Sequence, residues 1–348
     1  MTSFEANTPE WIKGDGPDSD IVVSTRARLA RSLTAFPFPA RASGEELTMI
    51  VSQVEAASTE LGKRFPGLVS VGVDRLSPAD KAFLLDARVI SVEQAEGRPG
   101  AAILLEPSAI LSIMINEEDH IRIQVLKSGF APDEAWELAD WVDDVLSKKL
   151  DYGYSERYGF LTASVSNVGT GLRLSAMMHL AGLAMKTRVA SQLRAAYDLG
   201  VSVRGMYGEG SRSVGDLYQV SNEVTLGLSE QEIVQRVASV ANYLLGEERL
   251  ARKELLSEER NRLLEGADKA LNALKYVRSI TPEKAIVLLS PLRLAATLNL
   301  VENCPISLLN ELLAGMRVGA VDDPQARIDR AELVRTKLAD ANMVGWQG

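Results

Sequence analysis

The sequence predicts an α+β fold, a mixed region of strands and helices followed by an all-helical C-terminal domain, and three observations carry that prediction. Residues 111–115 and 121–125 alternate apolar and polar side chains around a short polar loop, as the two half-buried strands of a hairpin do. Residues 132–149 repeat apolar positions at helical spacing. Beyond about residue 265 strand signals vanish and only helix starts remain.

Taken in order, residues 101–105 (Ala-Ala-Ile-Leu-Leu) read as a buried strand ahead of the hairpin. Arg122 and Gln124 share one face of its second strand, because successive strand side chains point to opposite sides. The next helix opens with Pro132 at a first helical position and Asp133 and Glu134 at the positive end of the dipole. Ala135, Leu138, Val142, Val145 and Leu146 form its apolar stripe, and Lys148 and Lys149 close it. Residues 154–158 break the pattern, and residues 159–171 are rich in small, turn-forming types. A long helix is expected from near Leu172 to Asp198, with His179 as a satisfied core histidine within it. Residues 201–204 alternate as a strand with Ser202 and Arg204 on one face, and residues 219–226 read as another. Ser229-Glu-Gln-Glu232 has capping-box spacing and starts an amphipathic helix running to about Glu265. Thr281-Pro282, Ser307 and Pro324 mark three further helix starts. The expected division is an N-terminal extension over 1–20, a mixed strand-and-helix domain over 21–255, which carries the chemistry argued below, and a helical domain over 256–348.

Composition narrows the function. The 348 residues carry a net charge of −9, which disfavours unspecific nucleic-acid binding. No run reaches the roughly 18 apolar residues of a membrane span, and the first residues lack the basic start and apolar core of a secretion signal. A cytoplasmic protein without membrane or nucleic-acid partners is expected. The single cysteine, Cys304, leaves no intrachain disulfide and reads as a buried small residue. With only His120 and His179 besides, zinc is disfavoured and any metal should be a hard cation.

The chemistry concentrates in a few stretches. The hairpin tip Asn116-Glu117-Glu118-Asp119-His120 packs three acids just before Arg122. Glu117 and Asp119 read as solvated or hairpin-structural residues, and His120 as a hydrogen-bonding anchor of the loop. Arginine is permanently charged and its forked donors match phosphate oxygens. Arg26, Arg28, Arg122, Arg173 and Arg204, on strand faces and loop mouths, can therefore cradle a polyphosphate. No Gly-x-x-x-x-Gly-Lys-Ser/Thr run and no three-glycine kinase loop is present, so an ATP site here must rest on arginines. Glu118 and Glu209 then call for an acceptor. A guanidinium fits: it becomes nucleophilic only when a proton leaves and its plane is held in line, and two carboxylates can do both.

These stretches resemble the phosphagen (guanidino) kinases, and within them the bacterial protein-arginine kinases. The likeness rests on residues 11–31 (Trp-Ile-Lys-Gly-Asp-Gly-Pro-Asp-Ser-Asp-Ile-Val-Val-Ser-Thr-Arg-Ala-Arg-Leu-Ala-Arg), the 116–124 loop and strand, Asn167-Val-Gly-Thr-Gly-Leu-Arg173, and residues 204–209, and it covers roughly residues 11–252. It implies an antiparallel sheet flanked by helices. It also implies ATP, with Mg²⁺ on its phosphates, held by Ser24, Thr25, Arg26, Ala27 and Arg28; by Arg88 and Arg122; by Arg173, Leu174, Ser175, Ala176 and Met177; and by Arg204, Gly205, Met206, Tyr207, Gly208 and Glu209. Glu118 would be the base, Glu209 its assistant, and Ser164 and Asn167 would lie on the substrate side. The γ-phosphoryl group would pass to an arginine side chain.

Kinases of free guanidino metabolites carry a helical N-terminal domain, whereas little precedes Ser24 here. That and the helical C-terminal domain favour protein arginines as acceptors, with free arginine or another small guanidine as the alternative. A weakly active protein that only binds arginine or phosphoarginine segments is a second alternative. The resemblance further implies a homodimer, an activator protein, a Clp-type ATPase and a role in stress-response proteolysis. The chain departs from the family pattern in three places. Ser164 stands where relatives have a reactive cysteine, which predicts slower turnover or altered salt dependence. Arg88 stands where a nucleotide-contacting histidine falls. Of the C-terminal Arg-Asp-x-x-Arg-Ala motif only the second half survives, in Ala326-Arg-Ile-Asp-Arg-Ala331, which puts phosphoarginine sensing in doubt.

Overall fold

The computed structural model describes residues 8–97, 99–205, 213–316 and 323–344. Its strands are β1 (Val22–Arg31), β2 (Val69–Gly72), β3 (Ala102–Leu105), β4 (Leu111–Ile115), β5 (Ile121–Ser128), β6 (Tyr154–Ser155), β7 (Gly159–Phe160), β8 (Leu172–His179), β9 (Val201–Gly205), β10 (Leu217–Asn222), β11 (Val301–Glu302) and β12 (Asn342–Met343). The helices are α1 (Gly44–Ala57), α2 (Pro78–Asp86), α3 (Val92–Glu96), α4 (Pro132–Ser147), α5 (Ala181–Met185), α6 (Val189–Asp198), α7 (Glu230–Glu258), α8 (Arg260–Tyr276), α9 (Pro282–Thr297), α10 (Ile306–Ala314) and α11 (Pro324–Lys337). Eight strands form one antiparallel sheet in the order β2-β3-β4-β5-β1-β8-β10-β9. The fold is α+β, an antiparallel sheet flanked by helices with a helical C-terminal region.

Local chemistry explains most boundaries. The Ser229 side chain accepts from Glu232 N while Glu232 reaches back to the cap, the expected capping box of α7. Pro132, Pro282 and Pro324 each occupy the first turn of a helix, where a missing N–H costs nothing. The C-terminal region is not wholly helical, since β11 and β12 pair over two residues. The expected long helix from Leu172 is a correction. Residues 172–179 are the central strand β8, and only after them come α5 and α6. Leu172, Leu174, Ala176 and Met178 face the core, but Met177 on the opposite side is buried too, so the run shows no clear period of two.

The two faces of the sheet have different neighbours. On one, Ala27, Leu29, Ile121, Ile123, Val125, Leu172, Leu174 and Val220 join a core with Ala135, Val142 and Leu146 of α4 and Val237, Ala241 and Leu244 of α7. On the other, the far end is apolar: Val23, Leu126, Met177 and Leu217 share a second core with Trp11 and helices α8 to α11. The β3–β4 side of that face carries Ile103, Leu105 and Met114, covered by Leu84 of α2 and Val89. Between these two covers lies a polar patch.

His179 ends β8 fully inside the protein and shares a 2.9 Å hydrogen bond between its Nε2 and Ser290 Oγ, while Ser290 donates to Asp216 at 2.6 Å. Burial, reinforced by Arg252 and Arg293, holds its pKa well below 6.5. Below about pH 6.5 the unfolded chain therefore binds a proton that the folded chain refuses, and stability falls as pH falls, by up to about 1.4 kcal/mol per pH unit. Urea titrations of the parent and His179→Asn through that range should show a smaller acid slope in the variant; equal slopes would contradict this.

Candidate active site

Strand alternation builds the site. In β1 Arg26 and Arg28 point to the polar patch, and the register sets Arg28 opposite Arg173 of β8 on one side and opposite Gln124 of β5 on the other. Arg122 lies two residues from Gln124 on the same face. Arg26 pairs with Ser175, which pairs with Ser221 of β10 and through it with Ser202 of β9. Arg204 extends the row at the β9 edge, its Nε donating to Ser202 Oγ at 3.0 Å. The five predicted arginines thus sit on one open face, four half-buried and Arg204 exposed. Their mutual repulsion acts on Arg28, whose pKa is held well below the usual arginine value by Arg26 first, then by burial, Arg122 and Arg173. Arg173 is likewise lowered by burial and by Arg204. Such a face is prepared for a polyanion, which would relieve the repulsion.

Other residues predicted for nucleotide binding fall elsewhere. Ala27, Leu174 and Ala176 belong to the helix-packed core, so their side chains do not reach the arginine face. Thr25 also points away: its Oγ1 donates to Gly129 O at 2.7 Å and accepts from Ala131 N at 3.0 Å, fixing the entry to α4. Ser24 and Met177 lie at the apolar end and are buried. Arg88 stacks its guanidinium 4.7 Å from the Trp11 ring, and its carbonyl accepts from Gln124 Nε2 at 2.8 Å, which places its backbone beside the patch. Gly205 ends β9, while Met206, Tyr207, Gly208 and Glu209 lie outside the described residues.

The hairpin tip is held by its own polar groups. Asn116, with φ of 57°, donates its amide to Leu47 O at 2.9 Å and Gly100 O at 2.8 Å. His120 accepts from Leu33 N at 2.8 Å through Nδ1, so Nε2 carries the proton toward Pro37 O at 2.9 Å. Burial lowers its pKa, which suits this neutral anchor. Asp119 is buried and accepts from Ser32 Oγ and, at 2.6 Å, from Ala163 N, tying the loop to the segment that leads to Ser164. Glu117 is not solvated: it is buried, accepts from Ser91 Oγ at 2.6 Å and Arg122 Nη1 at 2.7 Å, and receives the Glu118 amide at 2.9 Å.

That leaves Glu118 as the tip's exposed acid, 3.0 Å from Arg122 Nη2. Its pKa is raised, by desolvation first and by Asp119, Glu117 and Glu93, against the opposing pull of Arg122. Glu118 and Arg122 line a cleft of about 120 Å³ with Arg28, Arg173, Ser166, Asn167 and Gly171. Asn167 thereby joins the arginines. Ser164 is half-buried and shares its hydroxyl with Ser166 Oγ at 2.9 Å.

Sequence reasoning missed Arg31, which holds the loop carrying Asn167. It is buried, donates to Asp143 Oδ2 at 2.7 and 3.0 Å and to Thr170 O at 2.9 Å, and lies 3.6 Å from the Phe160 ring centre. Gly171 allows this approach: with φ of 64°, a Cβ there would meet Ala30 O and the Arg31 guanidinium at 2.6 Å. The signal was in the sequence, since Arg31 follows Arg26 and Arg28 in β1 but with the opposite parity.

Comparison with known proteins gives the family and the fold. Residues 49–251 match the family ATP:guanido phosphotransferase, C-terminal catalytic domain. The chain is 38% identical over 340 residues to the protein-arginine kinase of Pelotomaculum thermopropionicum, covering 95% of this chain and 96% of that one. It is 40% identical to that of Brevibacillus brevis, covering 94% of each. For the Bacillus subtilis protein-arginine kinase the identity is 38%, over 94% of this chain and 93% of the other. Among solved structures, the duplicated taurocyamine kinase of Schistosoma mansoni superposes with a TM-score of 0.61 at 25% identity, covering 75% of this chain and 39% of that one. Lombricine kinase superposes with a TM-score of 0.60 at 24% identity, over 70% and 71% of the two chains, and supports the fold.

Proposed function

Because the chain belongs to the ATP:guanido phosphotransferase family, we propose that it is an ATP-dependent protein-arginine kinase. The observation that supports this reading is the open row of arginines on one sheet face, of which Arg28, Arg122 and Arg173 line a cleft together with Glu118. Arg26, Arg28, Arg122, Arg173 and Arg204 would grip the triphosphate, and the depressed Arg28 would regain its full basicity as the phosphates arrive. Magnesium, carried on phosphate oxygens, would spread the negative charge. Glu118 takes a proton from the acceptor guanidinium as its nitrogen bonds to the γ-phosphorus. The bond from that phosphorus to the bridging oxygen breaks, and its electron pair leaves with ADP. In this reading Glu209 holds the second guanidinium nitrogen, and Asn167 and Ser164 border the acceptor.

Relatives of matching length bear the name protein-arginine kinase, which is why protein side chains are preferred here to small guanidines. The reading also takes residues 21–255 as the catalytic domain and 256–348 as the helical domain, with the helix break at Glu259 close to the boundary. It further includes a homodimer, an activator protein, delivery of marked proteins to a Clp-type ATPase, and a cytoplasmic setting. No helix among the described residues is long and apolar enough to cross a membrane. Incubation with Mg-ATP and either an unfolded protein or free arginine should give acid-labile phosphate on protein arginines, located by mass spectrometry. Label confined to free arginine would overturn the proposal.

A further inference from the structure

Behind the Arg122–Glu118 ion pair lies a second, larger space. It measures about 490 Å³ and is walled by Glu93, Gln94, Asn116, Glu117, Glu118 and Arg122, among others. Glu118 and Arg122 are common to it and to the phosphate-side cleft, so the ion pair stands as a partition between the two.

The polar groups on this wall are nearly all acceptors. Gln94 and Asn116 are 1% and 0% exposed, and each spends its amide nitrogen on backbone carbonyls: Gln94 on Ala102 O at 2.8 Å and Ile115 O at 3.4 Å, Asn116 on Leu47 O and Gly100 O. The oxygens Gln94 Oε1 and Asn116 Oδ1 are left buried with no donor among the described residues. A buried, unsatisfied oxygen costs on the order of 1–3 kcal/mol, and the pair leaves this wall rich in negative dipoles and short of donors. Glu93, exposed on α3, forms no ion pair among the described residues and adds a negative charge to this wall. Arg122 contributes no free positive charge, being held by Glu117 and Glu118. Ammonium and guanidinium groups donate only and carry the opposite charge. A chelated ion fits less well, because no three carboxylate, imidazole or thiolate side chains among the described residues stand close enough to hold one.

We propose that this acidic cavity is a subsite for a second cationic side chain of the protein substrate, lysine or arginine, lying within a few residues of the acceptor arginine. The proposal rests on the protein-arginine kinase reading, since it assumes the acceptor sits across the partition. It makes the enzyme selective for arginines in basic neighbourhoods, with Glu93 as the residue that reads the neighbour's charge.

The test uses synthetic peptides with one arginine and, at each flanking position in turn, either lysine or acetyl-lysine, a neutral analogue of similar reach. Phosphotransfer efficiency and, separately, binding of fluorescent peptides by anisotropy are measured for the full-length protein. At one or more positions lysine should be preferred by about tenfold, the value of one charge-assisted contact. The preference should shrink to about twofold or less in Glu93→Gln and reverse in Glu93→Lys. Equal efficiency at every position in the parent, or a preference that survives Glu93→Gln, would overturn the subsite. So would a rise in KM that is the same for both peptides, which would assign the cavity to the acceptor itself. Glu93-dependent binding without any phosphotransfer would uphold the subsite and sink the kinase reading; phosphotransfer without preference would do the converse.

Discussion

Replacing Glu118 with glutamine should lower the rate of arginine phosphorylation by about 10²- to 10⁴-fold, the usual contribution of a positioned general base. Glutamine keeps the shape and an oxygen for Arg122 Nη2 at 3.0 Å, so the hairpin, pinned by Asn116, Asp119 and His120, should stand unchanged. What is lost is the ability to take a proton. The pH profile gives a second reading of the same role. A base works when deprotonated, and the Glu118 pKa is raised above 4.5, by desolvation first. Activity of the parent should therefore fall on acidification at a pH above the ordinary glutamate range, and the residual activity of the variant should lack that limb. Rates of phosphoarginine formation at saturating ATP across roughly pH 5–9 check both. A variant within threefold of the parent would remove Glu118 from the chemistry.

The second large effect concerns stability. Arg252 of α7 is 4% exposed and Glu248, one turn before it, is 0% exposed; they pair at 2.7 Å. Glu248 also accepts the amides of Gly182 and Leu183 at 2.8 and 2.9 Å, capping α5. Arg252 donates onward to Asp20 O, His179 O and Thr297 Oγ1, each at 3.1 Å, and so joins β1's entry, the end of β8 and α9. Arg252→Met should cost about 3–5 kcal/mol, because it leaves a carboxylate buried without its partner. Burial already raises the Glu248 pKa, and without Arg252 it should rise further, making the variant relatively less unstable in acid than at neutral pH. The double variant Glu248→Gln/Arg252→Met, which buries no charge, should recover part of the loss. Chemical denaturation measures all three. A cost for Arg252→Met under 1 kcal/mol would show the pair to be dispensable.

The parts of this molecule that were legible in the sequence are those where one physical signal acts alone. Residues 121–125 send Ile121, Ile123 and Val125 into one core and Arg122 and Gln124 to the other face, so their alternation survived and Arg122's direction could be read, whereas 111–115 are buried on both sides, with Met114 packed beneath α2 and Ser112 the one polar mark of that face. Helix starts at Ser229, Thr281 and Pro324 were legible because caps are local. Residues 172–179 were not, because Met177 packs on the helical domain while Leu174 packs on α4 and α7, and a strand apolar on both sides has no readable period. The arginines of the site were found one by one, but their shared face follows from strand register, which one sequence does not print. Glu93 and Gln94 were missed for a related reason. They ride on α3, five residues long, whose sequence mark is the Ser91 cap, and Gln94's anchors lie on β3 and β4.

The apolar end of the arginine face is owned by residues far downstream. Leu264, Leu289, Leu292 and Leu312 share one core with Val23, Leu126, Met177 and Leu217, so shortening the gene at the α7–α8 break would strip the sheet of its roof. The exposed leucines and methionine would then offer a sticky panel beside the arginine face. Anyone wanting the N-terminal portion by itself would first have to repaint that panel with polar side chains.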